Sequence, residues 1–110
     1  MRVRLTSRHF KAQDSLHEYA RQAVDSLSKY YDGILSADVV LSHENSRRSL
    51  KVAELKVSVY GAVLTGIAKS DEFMKSMDQA AEKVLVQLKK YKERLHHKDR
   101  RVVRSLRLKV

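Results

Sequence analysis

The residues of this chain whose type and spacing could do chemistry are cations. Between positions 89 and 110 stand Lys89, Lys90, Lys92, Arg94, Lys98, Arg100, Arg101, Arg104, Arg107 and Lys109, opposed only by Glu93 and Asp99. That fifth of the chain carries eight of its ten net positive charges. Ammonium and guanidinium groups at this density match phosphate oxygens, to which both bind through charge-assisted hydrogen bonds. A charge run is ordinarily a solvated face, but one nearly free of acids repels itself and gains from a polyanion. The whole chain, with 23 Lys and Arg against 13 Asp and Glu and a pI near 10, favours nucleic acid or an anionic membrane face, and composition alone does not choose.

Other chemistries find less support. His96 and His97 are adjacent, so on a helix their rings point about 100° apart, and no cysteine or carboxylate pair completes a metal site. Four of the five tyrosines, Tyr19, Tyr30, Tyr31 and Tyr91, fall on or beside apolar stripes and read as core or core edge, leaving Tyr60 and Phe10 as weak stacking candidates. Met74 and Met77 read as gap-filling core. The sequence has no Gly-rich phosphate loop, nucleophile elbow or His-Glu-x-x-His helix, so it points to binding without a cofactor, a metal or catalysis. The absence of cysteine fits a reducing compartment, and the opening Met-Arg-Val-Arg-Leu-Thr lacks the apolar run of a leader or membrane span.

These cations need a frame. Met1, Val3 and Leu5 alternate with Arg2, Arg4 and Thr6, the period of a half-buried strand. From Asp14, expected as the N-cap, Leu16, Ala20, Ala23, Val24, Leu27 and Tyr31 recur at helical spacing until Asp32-Gly33, where glycine is expected to close the helix in the left-handed conformation. Residues 37–44 read as a second strand and 45–49 as a polar turn. A third strand alternates Ala53, Leu55, Val57 and Val59 with polar residues. Gly61 turns the chain into a fourth strand over 62–69, whose buried face the pattern does not decide. A second helix starts near Ser70-Asp71 and spaces Met74, Met77, Ala81, Val84, Leu88, Tyr91 and Leu95 by threes and fours.

The order β-α-β-β-β-α implies one α+β domain with a mixed four-stranded sheet. The first strand-helix-strand passage makes the first two strands parallel. Both helices then cover one face, an arrangement similar to double-stranded RNA-binding folds. Residues 1–96 form the domain, and residues 97–110, too basic and too poor in apolar residues to fold alone, form a flexible tail.

The residues also resemble a known family, the ribosome hibernation promoting factors, also called ribosome-associated inhibitors or the sigma-54 modulation family. The family's opening strand ending in Thr-Gly/Ser-Arg/Lys is similar to Val3-Arg4-Leu5-Thr6-Ser7-Arg8-His9, and its Leu-x-x-Tyr-Phe/Tyr-Asp is similar to Leu27-Ser28-Lys29-Tyr30-Tyr31-Asp32. Its Lys-Leu-x-x-Gln-Leu-x-Lys-x-Lys resembles Lys83-Val84-Leu85-Val86-Gln87-Leu88-Lys89-Lys90-Tyr91-Lys92. Two departures are Glu72-Phe73-Met74 for Asp-Met-Tyr and Ser76-Met77 for Ala-Ile.

The resemblance implies a non-enzymatic translation inhibitor in the cytoplasm, free as a monomer and without a membrane partner. It implies binding to the small ribosomal subunit and its rRNA, and to the whole ribosome, across the paths of messenger and transfer RNA. Lys83, Lys89, Lys90 and Lys92 carry over by motif as phosphate contacts, joined by Arg8 and Lys29, and the basic run adds Arg94, Arg100 and Arg101. The chain resembles the short form, which works alone or with a separate small ribosome-dimerising factor. A generic double-stranded RNA-binding module and a protein-interaction module dimerising through the second helix are the rival readings. Reversing Lys83, Lys89 and Lys92 together is expected to leave the fold intact and abolish ribosome binding.

Overall fold

Alternation and helical spacing become six elements in the computed structural model, which describes residues 1–8, 10–44 and 50–108, with side chains through residue 95. They are β1 (Arg2–Ser7), α1 (Asp14–Tyr30), β2 (Ser36–Glu44), β3 (Leu50–Val59), β4 (Ala62–Ser70) and α2 (Phe73–Leu108). The sheet runs β1-β2-β3-β4, with β1 parallel to β2 and the other two pairings antiparallel. This is the α+β architecture that the order of elements implies. The expected turn at 45–49 lies outside the described residues, as does His9.

The core lies between one sheet face and both helices. Ala37, Val39 and Leu41 of β2, Ala53, Leu55, Val57 and Val59 of β3, and Leu64 and Ala68 of β4 point inward at every second position. Against them pack Leu16, Ala20, Val24 and Leu27 of α1 and Met77, Ala80, Val84 and Leu88 of α2. The opposite sheet face is open and mixed in charge. Its ion pairs, Arg4 with Asp38 at 3.9 Å, Lys56 with Glu54 at 3.5 Å and Lys69 with Glu44 at 3.2 Å, are exposed and of the kind that adds little stability. On β4, Leu64, Gly66 and Ala68 face the core while Val63 and Ile67 face outward, which decides what the pattern left open.

Three local expectations are corrected. The N-cap of α1 is Gln13, whose carbonyl accepts from the Leu16 and His17 amides at 3.0 and 3.1 Å; Asp14 sits in the first turn, where its charge complements the helix dipole. The helix closes without a left-handed glycine: Tyr31 turns extended (φ −143°, ψ 116°) while its amide still bonds the Leu27 carbonyl at 3.0 Å. Gly33 serves a different purpose, because a Cβ there would run into the Tyr31 ring. The glycine that does adopt positive φ is Gly61 (φ 79°), in the β3–β4 turn.

The third correction concerns α2, which starts at Phe73 because β4 runs on to Ser70. Met74 is 42% exposed; of the expected stripe Met77, Val84 and Leu88 are fully covered and Ala81 and Tyr91 pack partly against the core, and Ser76 and Ala80, also fully covered, join them. Ser76 is tolerated there because its hydroxyl meets the Lys51 carbonyl and the Ser70 hydroxyl, each at 2.7 Å. Ala80 belongs to the stripe because α2 passes so close to β4 that a Cβ on Gly66 would collide with the Ala80 carbonyl.

Candidate nucleic-acid interface

The cations sit on the two flanks of α2. Lys83, Gln87, Lys90 and Arg94, three or four positions apart, share the flank that runs along β4; Lys92 turns to the other flank, towards α1. Its ammonium lies 4.7 Å above the Tyr30 ring and 3.4 Å from the Tyr30 carbonyl, which places it beside Lys29 in the last turn of α1. Both charges complement the C-terminal end of the α1 dipole. Lys29, Lys89, Lys90 and Arg94 are exposed.

Arg8 is exposed too, but its amide bonds the Leu41 carbonyl at 2.9 Å, at the end of the sheet where α2 begins. The α1 C-terminus and the β3–β4 turn lie at the other end, about 20 Å away by the rise of a six-residue strand. The structure therefore does not bring Arg8 to the other candidates. Arg100 and Arg101 lie on the α2 backbone, and their side chains fall outside the described residues.

Two of the expected phosphate ligands are already engaged. The Lys83 ammonium donates to the Ile67 carbonyl at 2.6 Å, on the outer edge of β4. Four residues on, the Gln87 amide donates to the Thr65 carbonyl at 2.7 Å and accepts from the Thr65 amide at 3.3 Å, the pair of bonds a neighbouring strand would make. Tyr91, another four on, donates to the Tyr60 carbonyl at 2.6 Å. Reversing Lys83 and Lys92 would thus break structural contacts as well as any phosphate contact. Lys83→Met, which keeps most of the stem and removes the donor, is expected to lower stability by about 1 kcal/mol in a denaturant titration, below the usual range for a charged hydrogen bond because this one is exposed.

Elsewhere, Tyr19 on α1 donates to Asp78 on α2 at 2.6 Å, tying the helices together. That bond, then burial and then the carboxylate charge, raises the Tyr19 pKa above its ordinary value. Phe10 is not free for a base: it stacks on Phe73 (4.9 Å, 13°), with His43 edge-on to both rings at 4.9 and 5.2 Å. Tyr60 is 83% exposed. Among the described residues no group of His, Cys, Asp and Glu could hold a metal ion, and no described helix is long and apolar enough to cross a membrane.

Sequence reasoning missed the division of the cations between two flanks and the part played by Gln87. The signal was present in the four-residue spacing of Lys83, Gln87 and Tyr91, which places them on one line of the helix.

A family model described as Sigma 54 modulation protein / S30EA ribosomal protein matches residues 3–96. The chain belongs to this family. The ribosome hibernation promoting factor of Azotobacter vinelandii is 26% identical over 94 residues, which are 86% of this chain and 85% of that protein. The ribosome hibernation promotion factor of Rhizobium meliloti (strain 1021) is 31% identical over 101 residues, and this chain spans about half its length, 52%. The solved structure of a ribosomal subunit interface protein from Coxiella burnetii shares the fold at a TM-score of 0.75 and 22% identity, covering 84% of this chain and 99% of that one. Family and fold are those that the sequence resemblance implies.

Proposed function

We propose that this protein is a ribosome hibernation factor that silences translation by occupying the messenger and transfer RNA channel of the small subunit. The observation that carries the reading is family membership across residues 3–96, joined to the cations on both flanks of α2, of which Lys89, Lys90 and Arg94 are exposed and Lys92 is half-buried. The family is one of ribosome-binding proteins without a catalytic step, and the compartment this implies is the cytoplasm. Lys29, Lys89, Lys90, Lys92 and Arg94 meet rRNA phosphates, which fix orientation without reading sequence. The partners are the small subunit with its rRNA, the whole ribosome and, where bound ribosomes pair, a separate small dimerising factor.

A density gradient tests this directly. The protein is expected to travel with the small subunit and the whole ribosome but not with the large subunit, and to inhibit cell-free translation at saturation. Undiminished translation, or a preference for free duplex RNA over ribosomes, would remove the reading. Dimerisation through α2 has little support, since Met77, Ala80, Val84 and Leu88 are already spent on the sheet.

Residues 97–110 contribute phosphate contacts and no core on this reading. Truncation after Leu95 is expected to weaken ribosome affinity and its salt dependence while leaving the melting temperature unchanged. A large fall in melting temperature with unchanged affinity would make the segment structural instead.

A further inference from the structure

Beside the β3–β4 turn, α2 and β4 leave a concavity of about 190 Å³ lined by Ala62, Leu64, Gln87, Lys90, Tyr91 and Arg94. Its floor is Ala62 and Leu64, and its walls are Tyr91 and Gln87. Both walls are fixed by the fold. The Tyr91 hydroxyl is held by the Tyr60 carbonyl at 2.6 Å, and its ring meets Tyr31 edge-on at 5.8 Å. The Gln87 amide is held by both backbone groups of Thr65. Lys90 and Arg94 complete the lining, exposed and, among the described residues, without an ion-pair partner.

We propose that this concavity receives one unpaired nucleotide of an RNA chain, its base against Tyr91, Ala62 and Leu64 and its phosphate on Lys90 and Arg94. Shape and lining point to the class of ligand: the concavity is open to solvent and, at about 190 Å³, smaller than the roughly 300 Å³ at which pockets for drug-sized molecules begin, so it holds a flat ring while the rest of the molecule stays outside. A double helix would offer the two cations its backbone but leave the aromatic wall empty. A splayed-out nucleotide uses both, a flat face for the ring and a charge for the cations. Walls held by hydrogen bonds before binding lower the cost of ordering the site. The inference rests on the RNA-binding reading above and names the ligand at one point of that surface.

The test is an amide-resolved NMR titration of the full chain with hexauridylate, with inorganic polyphosphate of matched charge and with uridine monophosphate. Hexauridylate is expected to shift the β4 amides of Ala62 and Leu64, and polyphosphate to leave them in place. Equal shifts with polyphosphate would reduce the site to bare charge and overturn the proposal. Saturation by uridine monophosphate at the same concentration would assign the site to free nucleotides and overturn the RNA assignment.

A second arm fills the concavity while keeping every charge. Ala62→Phe is expected to weaken hexauridylate binding about tenfold, the scale of one lost stack, with polyphosphate binding unchanged. Unchanged affinity in a folded variant overturns the proposal, and if the variant does not fold the wild-type titration decides alone. Sedimentation with the small subunit, without a hexauridylate response at Ala62 and Leu64, removes the pocket and keeps the ribosome reading. A hexauridylate response without sedimentation does the reverse.

Discussion

Replacing Lys89, Lys90 and Arg94 together by glutamine is expected to flatten the salt dependence of ribosome binding by about three units of log–log slope, one for each phosphate contact removed. With about six phosphates met, and by analogy with duplex DNA, wild-type affinity should fall about a thousandfold between 50 and 200 mM salt, and that of the triple variant only about fortyfold. These three residues suit the experiment because all are exposed and, among the described residues, none is bonded to a carbonyl as Lys83 and Lys92 are. Melting temperature should therefore hold while binding weakens. Pelleting with small subunits at a series of salt concentrations gives both slopes, and a slope equal to that of the wild type would move the phosphate contacts elsewhere.

Gly66→Ala should destabilise the protein by about 3 kcal/mol, the upper end of ordinary overpacking, because its Cβ would meet a backbone carbonyl that cannot rotate away. The sign is informative. In the interior of an ordinary strand, alanine in place of glycine stabilises, since glycine loses more chain entropy on folding. Here the new methyl collides with Ala80 and comes within 3.2 Å of the Lys83 Cβ, so α2 must lift away from β4. That would disturb Lys83 and Gln87, which bond β4 from that helix. Denaturant midpoints for Gly66→Ala and for Gly61→Asn make the comparison. Gly61 has positive φ and nothing within 4 Å of a Cβ, so asparagine, which tolerates that conformation, should cost far less.

Apolar periodicity made the frame legible. The α1 residues Leu16, Ala20, Val24 and Leu27 and the inward residues of β3 are buried where their spacing puts them, because the period is a property of the local backbone. Met74 and Ala80 were not legible in the same way. Which side of α2 faces the sheet depends on how closely the helix approaches, and that is set by the missing side chain of Gly66, on a different element. Ser76 was legible only through the family pattern, which has alanine there; by type alone a serine reads as surface until three oxygens, those of Lys51, Ser70 and Glu72, gather around it.

For the interface, residue types were legible and placement only partly so. A run such as Lys89-Lys90-Tyr91-Lys92 puts charge all round a helix, and nothing local separates a lysine that meets solvent from one that reaches a carbonyl. The concavity depends on Ala62 and Leu64 as much as on the cations, and small apolar residues in a strand carry no mark of a site.

The bonds that Lys83, Gln87 and Tyr91 make to β4 and its turn have a consequence for how copies of this molecule can associate. The chain has no proline, so it lacks one usual guard against strand-to-strand growth. Along β4 that guard is α2, whose side chains already occupy the Thr65 amide and carbonyl and the Ile67 carbonyl that an incoming strand would need. The remaining border of the sheet is β1, six residues long. An open polymer needs two complementary borders on every subunit, whereas a body with one can only form a closed pair. Folded copies meeting through their sheets would stop at two, and a folded copy docking onto a growing β-fibre would end it.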